Sequence, residues 1–342
     1  MKSILVILDG LSEEKLNILN NKTPLEYAYT PNIDKIIKKG TYENRKFYIE
    51  DRAPDSLSCI LSLLGVNKHH IPKNRAYLEA LSKDIKVSDD EVVLRCNLIS
   101  IDNNKLESFN GKGLSTKEMQ EFSKHIKTSE KVNFFHLSDY RNIITVKKSK
   151  EILSLLTMPP HENLGADMEK LLGQTSKINT LNEFIKDNSF KKNNKQYMFY
   201  PWGVSEKTNL PYFYSLYNKT CACICKADIM KGIAKAMSMD IPVLKNATGD
   251  VDTSLIEKAE AVINEIKTHD VVIAHINGTD EASHRKDMQG KISFIEKIDK
   301  EFIEKICSIK DVKLIILSDH QTSSITGKHE KGFVDYICSL IN

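Results

Sequence analysis

The sequence predicts an α/β fold: a mostly parallel central sheet flanked by helices, with a smaller α+β domain inserted into it. Runs SILVIL (3–8), VVIAHI (271–276) and KLIILS (313–318) read as strands covered on both faces. Helical periods alternate with them. Between about residues 91 and 190 the texture changes, and short strand-like segments return at hairpin spacing. A chain of 342 residues exceeds what one hydrophobic core serves. The expected division is a core of 1–90 and 191–342 with an insert at 91–190.

Elements follow in order. SILVIL closes in Asp9-Gly10. Thr30 is placed to cap a helix that starts at Pro31, buries Ile33, Ile36 and Ile37 and stops at Gly40. In APDSLSCILSLLG (53–65), Asp55 or Ser56 is the N-cap, Leu57, Ile60, Leu61 and Leu64 recur at helical spacing, and Gly65 ends the helix. Either way Ser56 lies at a helix N-terminus, where unpaired N–H groups and the helix dipole favour a phosphate. The insert holds VVLRCNLISID, NIITVKK and a helical run near 118–125, and the polar stretch KDNSFKKNNKQ (186–196) reads as a linker. Alternation then resumes with CACIC as a strand, ADIMKGIAKAM and LIEKAEAVINEI as helices, and ISFIEKIDKEFIEKI as a long amphipathic helix before KLIILS.

Composition narrows the function classes. Lysine and arginine (49) nearly balance aspartate and glutamate (46), so nothing points to nucleic acid, and Lys191-Lys192 reads as a solvated face. No run approaches the roughly 18 apolar residues of a membrane span. MKSILVILDG meets Asp9 after six residues with no cleavage site following, so it reads as a buried strand rather than a signal peptide. The seven cysteines include three at period two in CACIC (221–225). They read as small hydrophobes in a reducing cytoplasm, since the C-x-x-C spacing of a thiolate site is absent.

The chemistry gathers at strand ends. The first strand ends in Asp9; the second leads to Asp280, with His284 four residues on; the third gives Asp319 and His320; His329 follows in a loop. Ligand sites of open α/β sheets form outside the carboxyl ends of the strands. Asp280 and His284 share one helical face. Asp319 and His320 share one cluster only where a strand end or turn splays them; otherwise each serves a different ion of a pair. Asp and His ligands suit Zn, Mn or Co. Two cations clamp a phosphoryl group and activate a nucleophile. Ser56 is the best-placed hydroxyl, with Ser58 and Ser62 as rivals.

Several motifs extend over nearly the whole chain: LDG (8–10), KTPLEYAYTPNIDKIIKKG (22–40), LSLLGV (61–66), RCNLISID (95–102), DYR (139–141), PPHE (159–162), NATGDVDT (246–253), TDEASH (279–284) and SDH (318–320). In these the chain resembles the archaeal-type cofactor-independent phosphoglycerate mutases of the alkaline phosphatase superfamily. The resemblance implies an alkaline-phosphatase-like sandwich, an inserted cap that closes over substrate, two divalent ions (Mn, Zn, Co or Mg) and a phosphoserine intermediate. By alignment through LSLLG it implies Ser56 as nucleophile. One ion would take Asp280, His284 and His329, the other Asp9, Ser56, Asp319 and His320. Arg75, Arg95 and Arg141 match arginines of the family's GRGPLEA-like, RCN and YR motifs, and His161 lies in PPHE, as groups for substrate. A guanidinium fork suits the carboxylate and phosphate of a small phosphorylated acid.

The implied reaction interconverts 2-phosphoglycerate and 3-phosphoglycerate in glycolysis and gluconeogenesis. The implied partner is a small phosphorylated metabolite, with neither nucleic acid nor membrane. This chain differs from the family at YPWGVS, where Trp202 stands in place of an arginine in an RGAG-like segment. It also has Asn277 where lysine is common, PDSLSC instead of PGSDVA, and HEKGFVDYICSLIN where members continue past an HSGDPVP-like motif. A phosphomonoesterase, or a phosphotransferase for another small acceptor as in homoserine-kinase-like members, is the alternative on the same metals. A non-catalytic module would show a missing ligand, and the sequence has them all.

Overall fold

In the computed structural model, which describes residues 1–341, the chain forms two compact units. One comprises Met1–Ile71 with the chain from Asn209 onward, the other Pro72–Thr208. The strands, in chain order, are β1 (Lys2–Leu8), β2 (Thr41–Arg45), β3 (Glu91–Asp102), β4 (Lys105–Ser108), β5 (Val132–Ser138), β6 (Arg141–Lys147), β7 (Phe190–Lys192) and β8 (Lys195–Ser205). They continue with β9 (Cys221–Ile224), β10 (Val271–Ile276), β11 (Val312–Leu317), β12 (Gln321–Thr322), β13 (His329–Glu330) and β14 (Val334–Ile341).

The first unit is built on a sheet of order β2-β14-β11-β1-β10-β9. β1 pairs in parallel with β10 and β11, and β9 with β10; β14 and β2 add antiparallel strands at one edge. The apolar runs seen in the sequence are buried because helices cover the sheet. Val6, Leu8, Ala274 and Ile316 pack with Ala259, Val262, Ile295 and Phe302 in one cluster. Burial of this surface is the dominant favourable term in folding. Register fixes the geometry of the site: Leu8 lies beside Ile276 and Ile7 beside Leu317, so three parallel strands finish together.

Three local expectations change. Thr30 occupies the cap position of the helix Pro31–Lys39 but makes no side-chain cap bond. The carboxylate of buried Asp299 takes the amides of Asn32 (3.2 Å) and Ile33 (2.7 Å) instead, a charge well placed at a helix N-terminus. The long amphipathic helix is not uniform: Met288–Ile298 is α-helical, Asp299–Ile303 is a π-turn, and Glu304–Ile306 closes it. The polar segment 186–196 is no linker. It turns β7 into β8 through Asn193 and Asn194, whose φ values of 49° and 60° suit a two-residue hairpin.

The second unit carries a five-stranded antiparallel path, β5-β6-β3-β8-β7, with β4 on β3. Its core packs Leu94, Leu98, Ile144, Phe184, Phe199 and Tyr200. β8 is paired along its length with β3, so this unit runs on to Thr208; the helix Ala76–Ser82 joins it at the start. The expected boundaries at 91 and 190 therefore fall inside it.

Cys59, Cys96, Cys221, Cys223 and Cys225 are buried free thiols. Among the described residues no helix is long and apolar enough to cross a membrane.

Candidate metal centre

The centre lies at the carboxyl ends of β1, β10 and β11, within the first unit. Asp9 follows β1 directly. The chain leaves β10 through Asn277 into the helix Gly278–His284, which carries Asp280 and His284 one turn apart. Ser318, Asp319 and His320 follow β11, and His329 opens β13, which pairs with β12 (Thr322 opposite His329). Gly10 adopts φ +62°. A Cβ there would stand 2.6 Å from Thr322 Oγ1 and 2.7 Å from Asp280 Oδ1, so only glycine lets the strand end approach this closely.

Asp280, His284 and His329 each offer a ligand atom within 4.8 Å of the others, and so do Asp9, Asp280 and His320. In the first group His284 Nε2 is 3.1 Å from Asp280 Oδ2 and 3.1 Å from His329 Nε2, and His329 Nε2 is 3.4 Å from Asp280 Oδ1. Ligands about 2.05 Å from a tetrahedral ion stand roughly 3.3 Å apart, so these separations fit one cation. The first group is the set implied for one ion. In the second, Asp280 joins Asp9 and His320, with Asp319 and Ser56 alongside: Asp319 Oδ2 is 3.4 Å and Ser56 Oγ 3.3 Å from His320 Nε2.

Each imidazole is oriented from behind. His284 Nδ1 faces the Gly327 carbonyl at 2.9 Å, His329 Nδ1 the Pro54 carbonyl at 3.0 Å, and His320 Nδ1 the Thr322 hydroxyl at 3.1 Å. An Nδ1–H committed this way leaves the Nε2 lone pair for the site. Asp9 Oδ1 and Asp319 Oδ2 are buried and accept no hydrogen bond. Orphaned carboxylate oxygens are costly without a cation. The donor set and these two oxygens fit divalent ions.

Electrostatics point the same way. Burial and the Asp280 charge raise the Asp9 carboxyl, yet His275 and His320, each 3.2 Å away, prevail and hold it below the usual range. Burial would also raise Asp280, but His284 and His329 keep it well below. Asp319 is pushed up to about 6 by burial and by Asp9. Burial works against charge on His284 and His320, yet Asp280 raises the former to about 9, and Asp319 with Asp9 raises the latter to about 10. Three buried carboxylates thus draw positive charge to one spot.

Of the three candidate serines, Ser56 is the one that meets the cluster. Asp55 caps the helix Ser56–Leu63, accepting from Ser58 N (2.7 Å) and from Ser58 Oγ (2.6 Å), so the Ser58 hydroxyl is engaged by the cap. Ser62 lies almost two turns further along the helix.

The sequence did not single out three neighbours. His275 sits within β10, fully buried, 3.2 Å from Asp9 Oδ2 but outside hydrogen-bond alignment; an imidazole in an otherwise apolar strand was its one signal. Thr279 donates from Oγ1 to the Asp9 carbonyl. Thr322 donates to Asp280 Oδ1 at 2.7 Å.

Arg75, Arg95, Arg141 and His161 belong to the second unit. Glu79 receives Arg75 Nε at 2.8 Å and Arg95 Nε at 2.9 Å. The Arg95 guanidinium lies 4.3 Å over Trp202, whose Nε1 donates to Asn97 Oδ1, and His161 packs at 5.6 Å from the same indole. Phe109 links His161 to Tyr140, over which Arg141 lies at 5.2 Å. Burial and the neighbouring Arg75 lower Arg95 to about 10.

Comparison with known proteins identifies the family. The metalloenzyme superfamily model matches residues 1–338. The 2,3-bisphosphoglycerate-independent phosphoglycerate mutase of Methanosarcina barkeri is 26% identical over 357 residues, covering 98% of this chain and 89% of that protein. Its counterpart from Pyrococcus furiosus is 27% identical over 345 residues, covering 94% and 84%. Two solved structures share the fold. The PH0037 protein from Pyrococcus horikoshii has a TM-score of 0.78 at 22% identity, covering 99% of this chain and 87% of its own. The cofactor-independent phosphoglycerate mutase from Thermoplasma acidophilum has 0.59 at 17%, covering 99% and 90%. With strand-end acids, inward-facing imidazoles and a family match over almost its full length, the chain belongs to the metalloenzyme superfamily.

Proposed function

We propose that the centre binds two divalent cations and passes a phosphoryl group through Ser56, interconverting 2-phosphoglycerate and 3-phosphoglycerate. The observation that carries this is Ser56 Oγ, 3.3 Å from His320 Nε2 and at the first residue of a helix beside three buried carboxylates. Bound cations would neutralise phosphoryl oxygens and acidify the hydroxyl. The helix N-terminus adds backbone amides that favour a phosphate. The Ser56 oxygen forms its bond to phosphorus as the bond to one glycerate oxygen breaks, and that oxygen gains a proton. The second glycerate hydroxyl then takes the group back and gives up its proton, restoring Ser56. Asp9, Asp280, Asp319, His284, His320 and His329 are the proposed ion ligands. Arg75, Arg95, Arg141 and His161 are the proposed groups for the acid, and Mn, Zn, Co and Mg are the candidate ions.

The arrangement around Trp202 favours a second reading, a phosphomonoesterase or another small-molecule phosphotransferase. An indole stacks on Arg95, and one carboxylate serves both Arg75 and Arg95, which trims the positive charge offered to an acid. Incubating the purified protein with 3-phosphoglycerate and manganese separates the two. Formation of 2-phosphoglycerate is the expected result; inorganic phosphate as the sole product would sink the mutase reading.

A further inference from the structure

We propose that Thr322 is a positioning residue that couples the two ion subsites. The proposal rests on the two-cation reading above. Thr322 is fully buried, and its hydroxyl touches a ligand of each subsite: Asp280 Oδ1 at 2.7 Å and His320 Nδ1 at 3.1 Å. Its backbone lies opposite His329 in the β12–β13 pair.

Proton counting fixes the direction of these bonds. A hydroxyl has one proton, and an ionised carboxylate only accepts. The Thr322 proton therefore goes to Asp280, and the hydroxyl oxygen accepts from His320 Nδ1–H. That assigns the His320 tautomer and turns its Nε2 lone pair toward Asp9 and Ser56. One hydroxyl thus orients the acid shared by both donor groups and the imidazole of the second. An ion that orders Asp280 orders His320 through it.

The hydroxyl is itself held firmly. Lys291, fully buried, donates to the Thr322 carbonyl at 2.8 Å and to Glu13 Oε2 at 2.9 Å. Glu13 Oε1 accepts from the Ser324 amide at 2.7 Å. The amide of Thr322 donates to the Ser12 carbonyl at 3.1 Å. The loop after β1 and the helix Met288–Ile298 therefore clamp the segment from both sides, and Gly10 leaves room for the hydroxyl.

The test compares Thr322→Val, which keeps the shape and removes the hydroxyl, with Thr322→Ser, which keeps the hydroxyl. Full-length protein stripped with a chelator is titrated with Mn²⁺, with bound ion followed by calorimetry and free ion by electron paramagnetic resonance. Loss of an outer hydrogen bond to a metal ligand lowers affinity about 10–100-fold. Thr322→Val should lose that much at both subsites, and Thr322→Ser should recover most of it. Melting in chelator shows that each variant is folded before it is titrated. Two Mn²⁺ bound by Thr322→Val within twofold of wild-type affinity would overturn the coupling role alone, as would a Thr322→Ser variant no better than the valine. A wild-type protein that binds no Mn²⁺ or Zn²⁺ would overturn the two-cation reading as well.

Discussion

His284 and His329 meet nitrogen to nitrogen, with Nε2 atoms 3.1 Å apart and both Nδ1 atoms turned to backbone carbonyls. Both Nε2 atoms and the Asp280 carboxylate converge on one point. A cation there takes the place of the proton that Asp280 draws onto His284. Divalent ions should therefore stabilise the fold. An ion at a hundredfold excess over its Kd adds about 2.7 kcal/mol, so Mn²⁺ or Zn²⁺ should raise the melting temperature by several degrees and a chelator should reverse it. An unchanged melt in both conditions would refute the cluster as an ion site.

Ser56→Ala should abolish phosphoenzyme and lower turnover by several orders of magnitude, because in the proposed reaction Ser56 is the acceptor of the phosphoryl group. Ion binding should persist, since the carboxylates and imidazoles remain. Incubation with labelled substrate and acid quenching reads the first effect and metal analysis the second. Phosphoenzyme surviving in the variant would move the nucleophile elsewhere.

Gly10→Ala forces a side chain into the left-handed region at φ +62° and brings its Cβ to 2.6 Å from Thr322 Oγ1. The backbone term costs about 1–2 kcal/mol. The collision displaces Thr322 and Asp280, so ion affinity should fall at both subsites while the far-ultraviolet circular dichroism stays native. Wild-type affinity in this variant would show that the strand end has room to move.

Glu79 is buried between two guanidinium groups. Glu79→Gln leaves Arg75 and Arg95 facing each other with no anion between them. Removing one partner of a buried ion pair costs roughly 3 kcal/mol or more, and urea unfolding should show a loss of that order. A loss below about 1 kcal/mol would mean the pair is as solvated as a surface bridge.

His269 gives a pH signature away from the centre. Its ring nitrogens lie 2.9 Å from Asp240 and 3.2 Å from Glu265. Burial lowers its pKa, but the hydrogen bond to Asp240 and the contacts with Glu265 outweigh it and the net shift is upward. A raised folded pKa stabilises fully below the unfolded value of about 6.5 and loses that stabilisation as pH rises through the folded value. The gap in melting temperature between wild type and His269→Gln should therefore be larger near pH 5.5 than near pH 9. A gap that widens with pH would reverse the assignment.

Four of the six carboxylate and imidazole candidates were legible because two simple rules place them; His320 stood out only as the neighbour of Asp319, and His329 only as a histidine in the loop that follows. Apolar runs that stop in Asp put Asp9 and Asp319 at parallel strand ends, and i,i+4 spacing puts Asp280 and His284 on one face. Thr322 and His275 obey neither rule. A threonine next to a glutamine after His320 looks like any β-strand pair, and a histidine inside VVIAHI looks like core. Their roles come from which segments lie beside them, which is a tertiary fact. β2 was hidden for a related reason. All five residues of TYENR are exposed, so no burial alternation marks the strand, and only its pairing with β14 creates it. The Asn193-Asn194 turn was misread because polar composition alone does not separate a linker from a tight hairpin.

The centrality of β1 has a consequence for synthesis. Ser3 pairs with Val271 and with Lys313, so β1 has no permanent parallel neighbour until about 268 further residues, from position 3 to position 271, have been made. At 5–20 residues per second the wait is roughly 10–50 s. Pro72–Thr208 is continuous and can close on itself during that interval. An apolar segment left unpaired for so long is a natural client for a holding chaperone, and the yield of native protein should depend on translation speed.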